Sequence, residues 1–250
     1  MANHRNGGGT YRKTITKNGT ELSCGVKFFA LMNIHGRACQ IFLEVLCLMK
    51  NGFADGAFAR WRSLFELSVY AKFIQQNSDA VAQAYIEQAE TDEKNAKWAK
   101  TANCFQNHKG NITFNLIFDN CGFPEETKEL WQKQYELASK TVHASPQGTM
   151  KRLANAGSSK NFIPAGSSDW GLHVPAEHAA ISFHEITTVF FSERELVDGI
   201  TAIVLLGKWV NVIRRHLYET VGTCFPEVEE AAEIYKNYME QNAKDLDSDK

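Results

Sequence analysis

Residues 55–76 have the sequence DGAFARWRSLFELSVYAKFIQQ, and this stretch decides the fold class. Its apolar residues recur at intervals of three or four positions, which predicts an amphipathic helix. Arg62 and Glu66 are four residues apart, so they point to the same side of that helix. On a helical wheel they share a stripe with apolar positions such as Phe58 and Val69. Because this stripe is otherwise apolar, we expect the pair to be partly buried. A buried charge needs a partner, so we also expect the pair to be bonded to a facing helix.

A second ladder of polar residues lies in the stretch ELWQKQYELASKTVHAS, residues 129–145. Tyr135, Ser139 and His143 follow one another at four-residue steps and therefore share one helix face. If this face meets the Arg62 helix, the two form an Arg–Glu–Ser–His cluster. A nearby carboxylate would favour protonated His143, whereas a nearby arginine would oppose it. A satisfied polar network that ties two helices together is the alternative interpretation.

The rest of the chain predicts an all-α fold, a single helical bundle of about seven helices, because strand patterns are sparse. We expect one domain over residues 21–244, a flexible N-terminal tail over 1–20 and a frayed C-terminus over 245–250. Residues 103–123 leave a short strand and a helical turn both open. The predicted helices span residues 23–50, 55–76, about 79–100, 124 to about 144, 175 to about 192, about 193–218 and 226 to about 244. The first of them is expected to contain three of the six cysteines, Cys24, Cys39 and Cys47.

Composition restricts the class of protein. Of the 250 residues, 44% are hydrophobic and 22% charged, as in an ordinary globular domain. A net charge of −2 argues against a dedicated nucleic-acid binder. The cysteines form no CxxC pair, and no Cys/His spacing fits a zinc site. No signal peptide, membrane span, phosphate-binding loop or serine-hydrolase elbow is found. We therefore predict a cytoplasmic protein with no metal and no cofactor.

Residues 145–174 are the least regular part of the predicted domain. Four glycines and two prolines interrupt them, and a connection of this length is usually functional or disordered. Their apolar residues favour packing against the body of the protein, above a pocket beside the polar cluster. The predicted ligand-binding residues are Arg62, Glu66, Tyr135, Ser139, His143, Ser168 and Trp170.

A histidine-rich patch follows this segment. No two of its histidines are three or four residues apart, so they do not share a helix face and a metal site is disfavoured. Capping, turn or surface roles are the preferred interpretation. The patch comprises His173, His178 and His184, with Glu177 and Glu185.

Three motifs give the chain a resemblance to an uncharacterised, mostly bacterial family of all-helical proteins that carries a domain-of-unknown-function label. The first is R-x-x-x-E, here Arg62 and Glu66, and the second is S-x-x-x-H-A-S, here residues 139–145. The third is G-x-S-x-x-G-L-x-x-P, here residues 166–175. The resemblance covers roughly residues 25–215 and implies a helical fold without an agreed activity.

The chain is more distantly similar to HEPN-type helical bundles. That similarity implies a role in prokaryotic defence or stress systems and, for many members, metal-independent RNase activity from an R-x4–6-H motif paired across a dimer. This sequence departs from the pattern, because no arginine is followed by histidine at that spacing. An active site would have to be assembled from Arg62 and His143 on separate helices.

Three functional hypotheses follow. The first is a non-enzymatic binding or regulatory protein with a small-molecule or protein partner. The second is an RNA-cleaving enzyme in which His143 is the general acid or base, Arg62 stabilises developing phosphorane charge and Glu66 orients them. The third is an oligomeric scaffold, with a twofold homodimer as the default assembly.

Overall fold

The computed structural model describes residues 13–17, 20–93, 95–123, 125–143, 145–150, 152–153, 166–193 and 197–224. It confirms the all-α class: the described residues contain eight α-helices where about seven were predicted. The helix predicted from Pro226, the C-terminus over 245–250 and much of the predicted tail lie outside the described residues. The helices are Val26–Lys50 (α1), Ala54–Gln76 (α2), Asp79–Gln88 (α3), Phe114–Asp119 (α4), Glu125–Val142 (α5), Pro146–Met150 (α6), His173–Ser192 (α7) and Val197–Cys224 (α8).

A two-stranded hairpin precedes α1, and the sequence analysis did not predict it. Strand β1, Lys13–Lys17, pairs antiparallel with strand β2, Thr20–Cys24. The Asn-Gly dipeptide between the two strands is a strong hairpin signal that could have revealed it. As a result α1 begins at Val26 rather than at residue 23, and Cys24 ends a strand instead of joining Cys39 in the helix.

The core lies where α1, α2 and α7 pack against one another, with α5 on α2 and α8 on α7. Helix α2 supplies its centre because large side chains on several of its faces are fully buried, among them Phe58, Trp61 and Phe73. A tight turn joins α1 to α2, and Gly52 adopts a φ of 77° in it. A Cβ at this glycine would lie 2.7 Å from that of Ser167, so the turn requires glycine.

The region between α3 and α5 is irregular but well packed. Helix α3 ends at Gln88, earlier than predicted, and two 3-10 helices follow, Lys97–Thr101 and Asn103–Phe105. The first of these buries Trp98 edge-on against Tyr85, with ring centroids 5.0 Å apart. Of the two alternatives left open at residues 103–123, the structure has the helix, α4. Thr113 caps the start of this helix, since its side chain accepts a hydrogen bond from the Leu116 amide.

Among the described residues, no helix has both the length and the apolar character needed to cross a membrane.

The remaining helix bounds differ from prediction by a few residues. Helix α7 begins two residues before Pro175, and α8 runs from 197 to 224 instead of 193 to 218.

Candidate functional site

Arg62 and Glu66 do bond to a facing helix, and their partner is Tyr135 of α5. The Arg62 Nη2 atom lies 3.0 Å from Glu66 Oε1 and donates to the Tyr135 hydroxyl over 3.1 Å. That hydroxyl donates in turn to Glu66 Oε1 over 2.7 Å. We call these three residues the α2–α5 triad. Arg62 Nη2, the Tyr135 hydroxyl and Glu66 Oε1 thus form a closed ring of contacts.

Burial and mutual contact set the protonation states of Arg62 and Tyr135 in the α2–α5 triad. Burial, together with the hydrogen bond to Glu66, raises the pKa of Tyr135 to about 12, against the opposing effect of Arg62. Burial acts to lower the pKa of Arg62, but its contacts with Tyr135 and Glu66 outweigh this and raise it. The charged guanidinium and the neutral phenol therefore persist across the physiological range. The Nε atom of Arg62 is buried without a hydrogen-bond partner among the described residues.

Ser139 and His143 are not brought to this triad. The Ser139 hydroxyl donates to the backbone carbonyl of Tyr135 within its own helix, over 2.8 Å. His143 follows the last residue of α5, about 12 Å along the axis from Tyr135, and its side chain is exposed. Among the described contacts none joins His143 to Arg62 or Glu66. The four-residue cluster expected from the two ladders is therefore replaced by Arg–Tyr–Glu.

Two described residues of the 145–174 segment, Leu153 and Ser168, form hydrogen bonds at the turn between α1 and α2, whereas α6 packs on α5. The Ser168 amide donates to the Gly52 carbonyl over 2.9 Å, and the Leu153 amide donates to Asp55 Oδ1 over 2.8 Å. The Trp170 amide donates to the Ser168 hydroxyl over 3.1 Å. These anchors lie near the start of α2, about two turns before Arg62. Residues 154–165, the middle of the predicted roof, are outside the described part.

A cavity that the sequence analysis missed lies between α2, α5 and α7. Its volume is about 220 Å³. It combines aromatic walls with two buried serines, Ser68 and Ser182, and with a more exposed Lys72–Glu185 pair at 4.0 Å. The lining residues are Phe65, Ser68, Lys72, Phe123, Trp131, Ile181, Ser182 and Glu185. The spacing of positions 65, 68 and 72 on α2 was readable, but which helix they face was not.

Aromatic contacts fix the walls of this cavity. The rings of Phe65 and Trp131 stack with centroids 5.3 Å apart. The Nζ atom of Lys72 lies 4.1 Å from the centroid of the Phe123 ring, a cation–π contact. Each aromatic wall residue is thus held by a neighbouring ring or by a charge, which fixes the shape of these walls.

His178 is partly buried with its ring among aromatic side chains, which corrects the capping, turn or surface role predicted for this member of the histidine-rich patch. Its ring meets Trp61 edge-on at 4.9 Å and contacts Trp131 at 5.3 Å. Burial lowers its pKa to about 4, although the charge of Glu177 and the Val174 carbonyl act in the opposite direction. The imidazole is therefore neutral at pH 7, and its Nδ1 atom has no hydrogen-bond partner of good geometry among the described residues.

A second Arg–Glu–Tyr group, which we call the α7–α8 triad, joins α7 to α8. Arg214 Nε donates to Glu177 Oε1 over 2.8 Å. The Tyr218 hydroxyl lies 2.9 Å from the same oxygen and 3.0 Å from Oε2. Burial and the charge of Glu177 raise the pKa of Tyr218 to about 12. The described residues contain no group of three or more His, Cys, Asp or Glu side chains that could hold a metal ion.

Comparison with models of known protein families gives a match over part of the chain. A family model described as a family of unknown function (DUF5677) matches residues 28–114. The match includes the R-x-x-x-E motif at Arg62 and Glu66, and the all-helical structure fits an uncharacterised helical domain. The other two motifs lie beyond residue 114. No curated protein matches the chain, and no solved structure does.

Proposed function

We propose that this protein is a non-enzymatic binding protein that holds a small, largely apolar ring compound in the α2–α5–α7 cavity. The observation that carries the proposal is the cavity itself, in which aromatic walls meet two buried hydroxyls and a charged pair. Binding sites are typically concave and mostly apolar, with a few convergent polar groups.

The size of the cavity sets the size of the ligand. A cavity of about 150 Å³ holds one benzene molecule, and this one measures about 220 Å³. Drug-sized ligands occupy sites of roughly 300–1,000 Å³. The cavity therefore suits a single ring with a substituent, or a fused pair of rings such as indole. Stacking against Phe65 and Trp131 favours a planar molecule.

The polar groups define where such a ligand carries its heteroatoms. The Ser182 hydroxyl accepts a hydrogen bond from Trp61 Nε1 over 2.9 Å, and its own proton has no acceptor among the described residues. It can therefore donate to a ligand. The Ser68 hydroxyl donates to the Phe65 carbonyl over 2.8 Å and keeps a free lone pair, so it can accept. Lys72 and Glu185, nearer to solvent, can receive a polar substituent.

The same contacts favour binding over catalysis. A serine nucleophile needs an adjacent base, and no described hydrogen bond joins a histidine to Ser68 or Ser182. The RNase hypothesis needs Arg62 beside His143, whereas Arg62 is occupied by Tyr135 and Glu66.

The test is titration with indole, followed by two-dimensional amide NMR on the full chain. We expect saturable shifts for residues of the cavity wall. Ser68→Leu should fill the cavity and weaken indole binding at least tenfold. The matched control is Ser63→Leu, the same substitution five residues earlier on the same helix and outside the cavity lining. Absence of saturable binding by the wild type, or equal binding by the folded Ser68→Leu variant, would contradict the proposal.

A second experiment tests the Lys72–Glu185 pair and does not require the Ser68→Leu variant to fold. Benzoate and benzylamine differ in charge at nearly constant ring size. Lys72→Met should reduce the affinity for benzoate relative to benzylamine, because it removes the cation near the cavity and leaves Glu185. The control is Lys97→Met, which replaces an exposed lysine of the first 3-10 helix outside the cavity lining. An unchanged ratio would contradict the assignment of Lys72.

A further inference from the structure

Helix α8 exposes an unusual amount of apolar surface. Trp209 is 63% exposed and Val197 is 77% exposed. Seven large apolar side chains within seventeen residues are each more than a third exposed. They are Val197, Ile200, Val204, Leu205, Trp209, Val212 and Ile213, and we call them the α8 stripe.

The α8 stripe is directed away from the body of the protein. Helix α8 packs on α7 through the opposite side, where Gly199 and Val221 are buried. A surface helix normally presents charged and polar residues to solvent. Single exposed apolar side chains need no explanation, but so many on the solvent side of one helix mark an interaction surface.

We infer that the α8 stripe is the interface of a homodimer in which α8 packs antiparallel against α8 of a second copy. The first argument is area. The seven side chains leave on the order of 700 Å² exposed, and each partner of a standard interface contributes about 800 Å². A twofold contact of α8 with α8 would therefore supply much of the area that each partner of a specific dimer contributes.

The second argument is charge complementarity. Within the stripe region the exposed charged residues are Asp198 and Lys208, ten positions apart. A twofold axis that passes near Ile203 sets Asp198 of one copy opposite Lys208 of the other, twice. The same register sets Trp209 opposite Val197. Opposite charges at the two ends of an apolar centre fix the register of an isologous contact. A parallel arrangement would instead set like charges side by side.

The inference does not depend on ligand binding, because the cavity lies between α2, α5 and α7. It is tested by light scattering coupled to size exclusion, on the full chain, over a hundredfold range of concentration. We expect a dimer for the wild type and a monomer for Val204→Glu and for Trp209→Glu. The matched control is Leu43→Glu, since Leu43 of α1 is 64% exposed and lies outside the stripe. This control should remain dimeric.

The register is tested by charge reversal. Asp198→Lys and Lys208→Asp should each weaken the dimer at least tenfold, and the double variant should restore it. A wild type that is monomeric at every concentration would overturn the inference, as would a dimer that survives both glutamate substitutions. A double variant that stays as weak as the single variants would overturn the antiparallel pairing.

Discussion

The two Arg–Glu–Tyr triads use the same three side chains in different connections. In the α2–α5 triad the two ions share one helix, and the tyrosine comes from the other. In the α7–α8 triad the arginine and tyrosine share α8, and the carboxylate of Glu177 comes from α7. The tyrosine is thus the link between helices in the first, and the carboxylate is the link in the second.

This difference determines which single residue each helix pair depends on. Loss of Tyr135 leaves the Arg62–Glu66 pair intact within α2, although the tie to α5 is lost. Loss of Glu177 leaves both Arg214 and Tyr218 without the acceptor they share. Removing one partner of a half-buried ion pair costs more than removing a neutral hydrogen-bonding group.

The largest expected effect is a loss of stability in acid. It concerns the α7–α8 triad, because Glu177 is followed in the chain by His178, whose ring packs against aromatic side chains. The pKa of His178 is about 4 in the folded protein and about 6.5 in an unfolded chain. Between these values the unfolded chain binds the extra proton, so the free energy of unfolding falls as pH drops from 6.5 to 4. The loss is on the order of 3 kcal/mol. Urea denaturation at several pH values measures it.

His178→Phe should flatten this pH dependence in large part. Some dependence should remain, because burial also lowers the pKa of His35. The control is His143→Phe at an exposed position. If His178→Phe retains the full acid dependence of the wild type, the interior placement of this imidazole is contradicted.

The second effect compares the two carboxylates directly. Glu177→Leu should lower the free energy of unfolding by about 2–3 kcal/mol, because a half-buried guanidinium loses its partner. Glu66→Leu should cost about 1 kcal/mol, since Arg62 keeps its hydrogen bond to Tyr135. Chemical denaturation of both variants gives the ratio. Equal losses would refute the distinction between the two triads.

The third effect is the smallest and concerns the tyrosines at high pH. Both phenols have a pKa of about 12 in the folded protein and about 10 when unfolded. Stability present below pH 10 is therefore lost as pH rises towards 12, by about 1–2 kcal/mol for each tyrosine after allowance for solvent screening. Tyr135→Phe should cost about 1 kcal/mol at pH 7 and should remove its share of the alkaline loss. An unaltered alkaline transition would contradict the buried phenol.

Side-chain pairs within one helix could be predicted from the sequence better than pairs that join two helices. The Arg62–Glu66 pair follows from helical periodicity, and Tyr135 was among the predicted site residues. The Glu177–Arg214 pair joins residues 37 positions apart on two helices, and periodicity says nothing about which faces meet. For the same reason the cavity could not be predicted, because its lining residues come from several elements.

Two other errors have local causes. His178 was assigned a capping, turn or surface role after the spacing of the histidines disfavoured a metal site, whereas its ring contacts three aromatic rings here. His143 was placed in the cluster by its four-residue step from Ser139, but α5 ends just before it.

The most direct test of whether the cavity is the binding site is one comparison of indole binding by amide NMR. We propose that the α2–α5 triad is structural and that the cavity is the functional site. Tyr135→Phe should therefore bind indole as the wild type does, while Ser68→Leu should lose at least tenfold in affinity. If Tyr135→Phe abolishes binding in a folded protein and Ser68→Leu preserves it, the binding site is the triad and not the cavity.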